Sequence, residues 1–161
     1  MRTMTLVALL AALGSSAEAQ HRPTAAVNLL AGPSSYDLAG TGTSLAVAGH
    51  LTWFWQPAIA IEPGITYFTY NSYSTLVFPE LSVQAGVPGG PFRPYLGGGI
   101  GLTVPTSGGG GTHRSLHAVL GVRVPLGDTG WLARAEFRPR SPQQWGSVTA
   151  DLMFGVGRTI P

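Results

Sequence analysis

From Thr43 to Gln56 the side chains alternate in character. Leu45, Val47, Gly49, Leu51, Trp53 and Trp55 fall on one side, and Ser44, Ala46, Ala48, His50, Thr52 and Phe54 on the other. A period of two is the signature of a strand with one apolar and one mostly polar face. Pro57 then forces a tight reversal. A second alternating run follows, with Ile59, Ile61, Ile65 and Tyr67 opposed to Ala60, Glu62, Gly64 and Thr66. The same rhythm recurs along the chain and predicts eight strands: about Pro23 to Gly32, Ser44 to Gln56, Ile59 to Tyr70, Thr75 to Gly86, Phe92 to Val104, Arg114 to Leu126, Trp131 to Pro139 and Ser147 to Ile160. Strands of this length reach the roughly 9 to 11 residues needed to cross a bilayer when tilted. Pro79 falls on the apolar face of the fourth run and predicts a bulge or a weak ladder position there.

The connections also alternate. Those after the first, third, fifth and seventh strands read as longer, polar and Gly-rich, and Gly108 to Gly111 belongs to one of them. The turn at Gln56 and Pro57 is very short. Outer-membrane barrels have short periplasmic turns and longer outside loops, so the N-terminus and this turn are expected on the periplasmic side. The fold class read from these patterns is an all-β, eight-stranded antiparallel up-and-down transmembrane barrel.

Composition sharpens that reading. The chain has 161 residues, 44% hydrophobic and only 10% charged. A soluble domain is about a quarter charged. After the N-terminus no apolar run approaches the roughly 20 residues of a membrane helix. Arg2, the apolar stretch Met4 to Leu13 and the small-x-small sequence Ala17-Glu18-Ala19 form a secretory signal. The expected organisation is therefore a signal peptide over 1–19 and one barrel over 20–161. Cysteine is absent, which excludes disulfides and thiol chemistry. The net charge of +2 is small and scattered, with no sign of nucleic-acid binding.

Three features set which face is outside. Nearly every strand charge shares one face: Glu62, Glu80, Arg93, Arg123, Arg134, Glu136, Arg138 and Asp151. That is too few for a wetted exterior, but it suits a lumen of paired groups. Gly97, Gly99 and Gly101 share the same face, as a crowded eight-stranded interior requires. Trp53, Trp55, Tyr67 and Trp131 lie on the apolar face near strand ends, where an aromatic girdle belongs. The rival arrangement is a soluble lipocalin-like barrel with an apolar lumen and ligand.

The run Pro94-Tyr95-Leu96-Gly97-Gly98-Gly99-Ile100-Gly101 resembles the mid-barrel strand of small outer-membrane β-barrels of the outer membrane protein A/X-like group. Ala133-Arg134-Ala135-Glu136-Phe137-Arg138 resembles their penultimate strand, and Leu152-Met153-Phe154-Gly155-Val156-Gly157 their closing strand. The resemblance implies an outer-membrane location, contact with membrane lipid and lipopolysaccharide, and insertion by the barrel-assembly machinery. That family usually ends on an aromatic residue, whereas this chain ends Arg158-Thr159-Ile160-Pro161.

Charges buried in a lumen need partners, because an orphan costs several kcal/mol. With a turn near Gln143, Arg134 would face Asp151 and lie close to Glu136. The expectation is an ion-pair network that also takes in Arg123, Glu62 and Glu80, plugs the barrel and fixes register. A small pore is the rival function. A lipid A-modifying enzyme is another: His113, Ser115 and His117 cluster in the sixth strand, but on the lumenal parity and without the His-x-Ser-Asn element of such deacylases. No catalytic residue is assigned. His113 and His117 would lie roughly 13 Å apart on a strand, too far to share an ion, so no metal or other cofactor is assigned. Arg138-Pro139-Arg140 could meet lipopolysaccharide phosphates if it formed an outer edge. The expected state is a monomeric structural or surface-interaction barrel.

Overall fold

The period-two segments fold as strands that pair in sequence order and close on themselves. A computed structural model describes residues 24–35, 43–71, 74–106, 110–142 and 148–160. Its elements are β1 (Ala25–Ser35), β2 (Thr43–Gln56), β3 (Ile59–Asn71), β4 (Ser74–Gly86), β5 (Arg93–Pro105), β6 (His113–Pro125), β7 (Trp131–Pro142) and β8 (Thr149–Ile160). Every neighbouring pair is antiparallel, and β8 returns to β1 to complete a closed barrel. Closure leaves no unpaired edge, the condition for strands to stand in lipid. The expected signal segment and the very end of the chain lie outside the described residues.

The faces fall as the alternation predicts. Leu29, Leu51, Ile65, Val83, Leu96, Leu120 and Phe154 point outward and are exposed. Arg114 and Arg158 are the two charged side chains on outward positions of the described strands, and each lies near a strand end. This is the reverse of a soluble barrel, whose exterior must be wetted. Inside, Leu30, Ala46, Ala48, Phe68, Leu76, Phe78 and Met153 form a small apolar cluster. The other inward positions are mostly polar.

Two strand ends differ from the sequence reading by three residues. β1 continues through Pro33 to Ser35, and β7 continues through Pro139 to Pro142. Both prolines point outward, where a missing N–H costs one ladder contact and not the strand. The alternation of connection lengths is imperfect. Only residues 72 and 73 separate β3 from β4, whereas 87–92 separate β4 from β5. Pro79 interrupts its ladder without a bulge, since the β4–β5 register is unchanged on either side.

Pro79 is one of four such prolines. The β8–β1 ladder skips Gly32 and Pro33, β2–β3 skips Glu62 and Pro63, β4–β5 skips Phe78 and Pro79, and β6–β7 skips Arg138 and Pro139. In an antiparallel strand, residues on one face send their N–H and C=O groups to the same neighbour. Outward prolines therefore all weaken the same alternate set of seams. The intervening hairpins β1–β2, β5–β6 and β7–β8 keep continuous register. A proline restricts the residue before it to extended backbone. Here those residues include Glu62 and Arg138, the inward charges at the centre of the site.

A lumenal ion-pair array as the candidate functional site

β7 supplies most of the cations. Its inward positions are Leu132, Arg134, Glu136, Arg138 and Arg140, all buried. The carboxylates they meet come largely from β3 and β4, on the far wall of the barrel. Arg134 forks onto Glu62: Nη1 donates to Oε2 and Nη2 to Oε1, both at 2.7 Å. Its Nε donates to the Tyr95 hydroxyl at 2.7 Å, and that hydroxyl donates to Glu136 Oε2 at 2.7 Å. Arg134 also pairs directly with Glu136.

Glu62 is the most shared acceptor. Gln84 Nε2 donates to it at 2.8 Å, Arg138 Nη2 at 3.2 Å, and the Thr52 hydroxyl also bonds it. Arg138 then bridges onward, to Glu136 Oε1 at 2.7 Å and to Glu80. Glu80 receives Arg140 Nη2 at 3.1 Å and the Thr66 hydroxyl at 2.8 Å. Arg140 pairs in turn with Asp151, which accepts from Ser34. His50 sits between the two acidic centres, with Nδ1 3.5 Å from Glu62 and Nε2 3.4 Å from Glu80. Arg138 Nη1 also lies 3.3 Å from His50 Nε2.

The charges balance. Glu62, Glu80, Glu136 and Asp151 oppose Arg123, Arg134, Arg138 and Arg140, and all eight are buried. Burying one such ion alone costs several kcal/mol, so interlocking is what makes this interior tolerable. Small residues make room for it. A Cβ on Gly99 would lie 2.7 Å from His117 Nε2, and one on Gly101 would lie 3.1 Å from the Glu80 Cβ.

Of the expected network, Glu62, Glu80, Arg123, Arg134, Glu136, Arg138 and Asp151 share the lumen, although Arg123 is joined through Gln84 and stands 3.7 Å from Glu62. Arg93 stands apart, with Nε bonded to the Gly90 carbonyl at 3.2 Å. The expected facing of Arg134 and Asp151 is wrong: Arg134 faces Gly155, and Asp151 faces Arg138. The pairing centre of β7 and β8 lies further along the chain than Gln143, and this shifts the whole register. The outer-edge reading of Arg138-Pro139-Arg140 is also overturned, since both guanidinium groups are buried and paired inside. Ser115 and His117 are likewise buried in the lumen, away from the lipid-facing surface that a deacylase site would need. Trp53, Trp55, Tyr67 and Trp131 point outward and are 41–64% exposed.

The sequence reading missed Arg140, Tyr95, Gln84 and His50 as members of the array. Their inward parity was the available signal. What parity could not supply was their reach across the barrel.

Solved structures share this architecture. Neisserial surface protein A (NspA) superposes with a TM-score of 0.68 at 16% identity, over 84% of this chain and 96% of that one. The N-terminal β-barrel domain of Pseudomonas aeruginosa OprF gives 0.63 at 15% identity, over 84% and 97%. The outer membrane enzyme PagL gives 0.54 at 12%, over 84% and 99%. No protein-family model and no curated protein matches the chain. The closed eight-stranded fold and the apolar exterior are those that these small outer-membrane barrels share.

Proposed function

We propose that the chain is an integral outer-membrane barrel that seals its own lumen and acts as a structural or surface-interaction element, not as a pore. The observation that carries this is the array of four carboxylates and four arginines interlocked across the barrel. An ion crossing the lumen would have to displace charge pairs already engaged with one another. Each displacement exposes an uncompensated buried charge, at several kcal/mol. Eight-stranded interiors are only wide enough for side chains to fill them, which agrees with a plug.

In this reading Trp53, Trp55, Tyr67 and Trp131 form the aromatic girdle that seats a monomer between lipid headgroups. Outer-leaflet lipopolysaccharide and the barrel-assembly machinery are its partners in the envelope. Planar-bilayer recording of the purified barrel tests the sealed lumen. No stepwise current is expected from the unmodified chain. Regular conductance steps that persist across preparations would give the pore reading the advantage.

A further inference from the structure

Arg93, Arg123 and Arg134 stand directly opposite one another on β5, β6 and β7. Like charges opposed across strands repel, so a row of three calls for anions. The three are served unequally. Arg134 is forked by Glu62 and held by Glu136. Arg123 is 7% exposed, its nearest carboxylate oxygen is 3.7 Å away, and its Nε has no hydrogen-bond partner. It rests on the Tyr95 ring, 3.9 Å from the centroid. Arg93 bonds one carbonyl and has no ion pair among the described residues. The buried array is already neutral without Arg93, which leaves it as a surplus cation.

The place of this surplus is informative. Arg93 opens β5 at the barrel end that also carries Ala25 and Ile160. Phe92, its chain neighbour, is 68% exposed, and Trp55 and Trp131 point outward at the same end. Aromatic side chains of this kind mark the headgroup level of a bilayer. Gly89 in the adjoining turn borders open space, since a Cβ there would meet nothing within 4 Å.

We propose that Arg93 and Arg123 form a phosphate-binding site at this mouth, occupied by the headgroup phosphate of a phospholipid in the adjoining leaflet. Facing residues on paired strands have Cβ atoms about 4.5–5.5 Å apart, so two guanidinium groups can close on one tetrahedral anion. Arginine matches phosphate oxygens through two parallel N–H bonds. The edge of Arg93 left unused by its single carbonyl bond, and the slightly exposed part of the Arg123 side chain beyond its buried Nε, face this mouth outside the ion pairs of the array. The site depends on the barrel standing in lipid but not on the lumen being sealed.

The test is NMR of the arginine Nε–Hε groups in the folded barrel in zwitterionic micelles, titrated with phosphatidylglycerol and, separately, with inorganic phosphate. Saturable shifts of the Arg93 and Arg123 signals are expected. Arg93→Ala should weaken binding roughly tenfold, the scale of one lost charge-assisted contact. Its unchanged heat-modified gel shift would show that the barrel is still folded. A response to phosphatidylglycerol alone assigns a lipid headgroup. A response to both probes assigns a phosphate site open to either source. No saturable shift with either probe, or equal affinity in Arg93→Ala, overturns the proposal.

Discussion

β5 and β7 are two strands apart in the same wall and occupy the lumen in opposite ways. β7 sends in Leu132, Arg134, Glu136, Arg138 and Arg140, whereas the middle of β5 sends in Gly97, Gly99 and Gly101. The contrast concerns shared volume. The lumen is narrow, so long side chains on one strand require small ones on another. Without side chains of its own at those positions, β5 leaves space for Gln84 and Glu80 from β4 and for Ser115 and His117 from β6. The ion pairs of β7 and the glycines of β5 are thus parts of one packing solution. β7 is held by electrostatics across the barrel, and β5 by close backbone approach.

The largest expected effect comes from cutting the β7 side. Arg134→Ala removes the fork on Glu62 and the direct pair with Glu136, leaving Arg138 as the arginine that still bridges both buried carboxylates, and should destabilise the barrel by about 3–5 kcal/mol in urea unfolding from lipid vesicles. Next is an outward control on β6, the strand between them. Leu120 is 60% exposed on the lipid face, and Leu120→Arg should cost about 2–4 kcal/mol near the bilayer midplane. A third variant probes β5. In Gly99→Ala the new Cβ would lie 2.1 Å from the Leu81 carbonyl oxygen, a clash the backbone must relieve. Overpacking of this kind costs about 1–3 kcal/mol, read from the same unfolding curves. Arg93→Ala should change least, within roughly 0.5 kcal/mol, because this arginine lies outside the array. A large effect at Arg93 would blur the distinction between the two strands.

The sequence carried the strands and their faces plainly, because a period of two survives in every segment. Seven of the eight charged residues expected in the lumen lie there for that reason. Register was harder to read. Counting from a turn near Gln143 matches Arg134 to Asp151, and a shift of two residues in the turn centre moves every partner along β7. Arg140 was lost because Pro139 reads as a strand end, whereas an outward proline interrupts only the seam toward β6 and leaves the β8 ladder continuous. The pairing of β7 with β3 and β4 across the barrel was not legible. It depends on tilt and stagger, which set the height of each side chain and have no counterpart in local pattern.

If the lumenal charges act as one interlocked unit, a double-mutant cycle on Arg134 and Glu62 in lipid vesicles will show it. Each single alanine variant strips a buried partner of its forked counter-charge, leaving Glu62 to Arg138 or Arg134 to Glu136, whereas the double variant removes both charges. The double variant is expected to be less destabilised than the sum of the singles, with a coupling of about 0.5–3 kcal/mol. Strict additivity would contradict it, and would mean that each charge is solvated independently in a wet lumen.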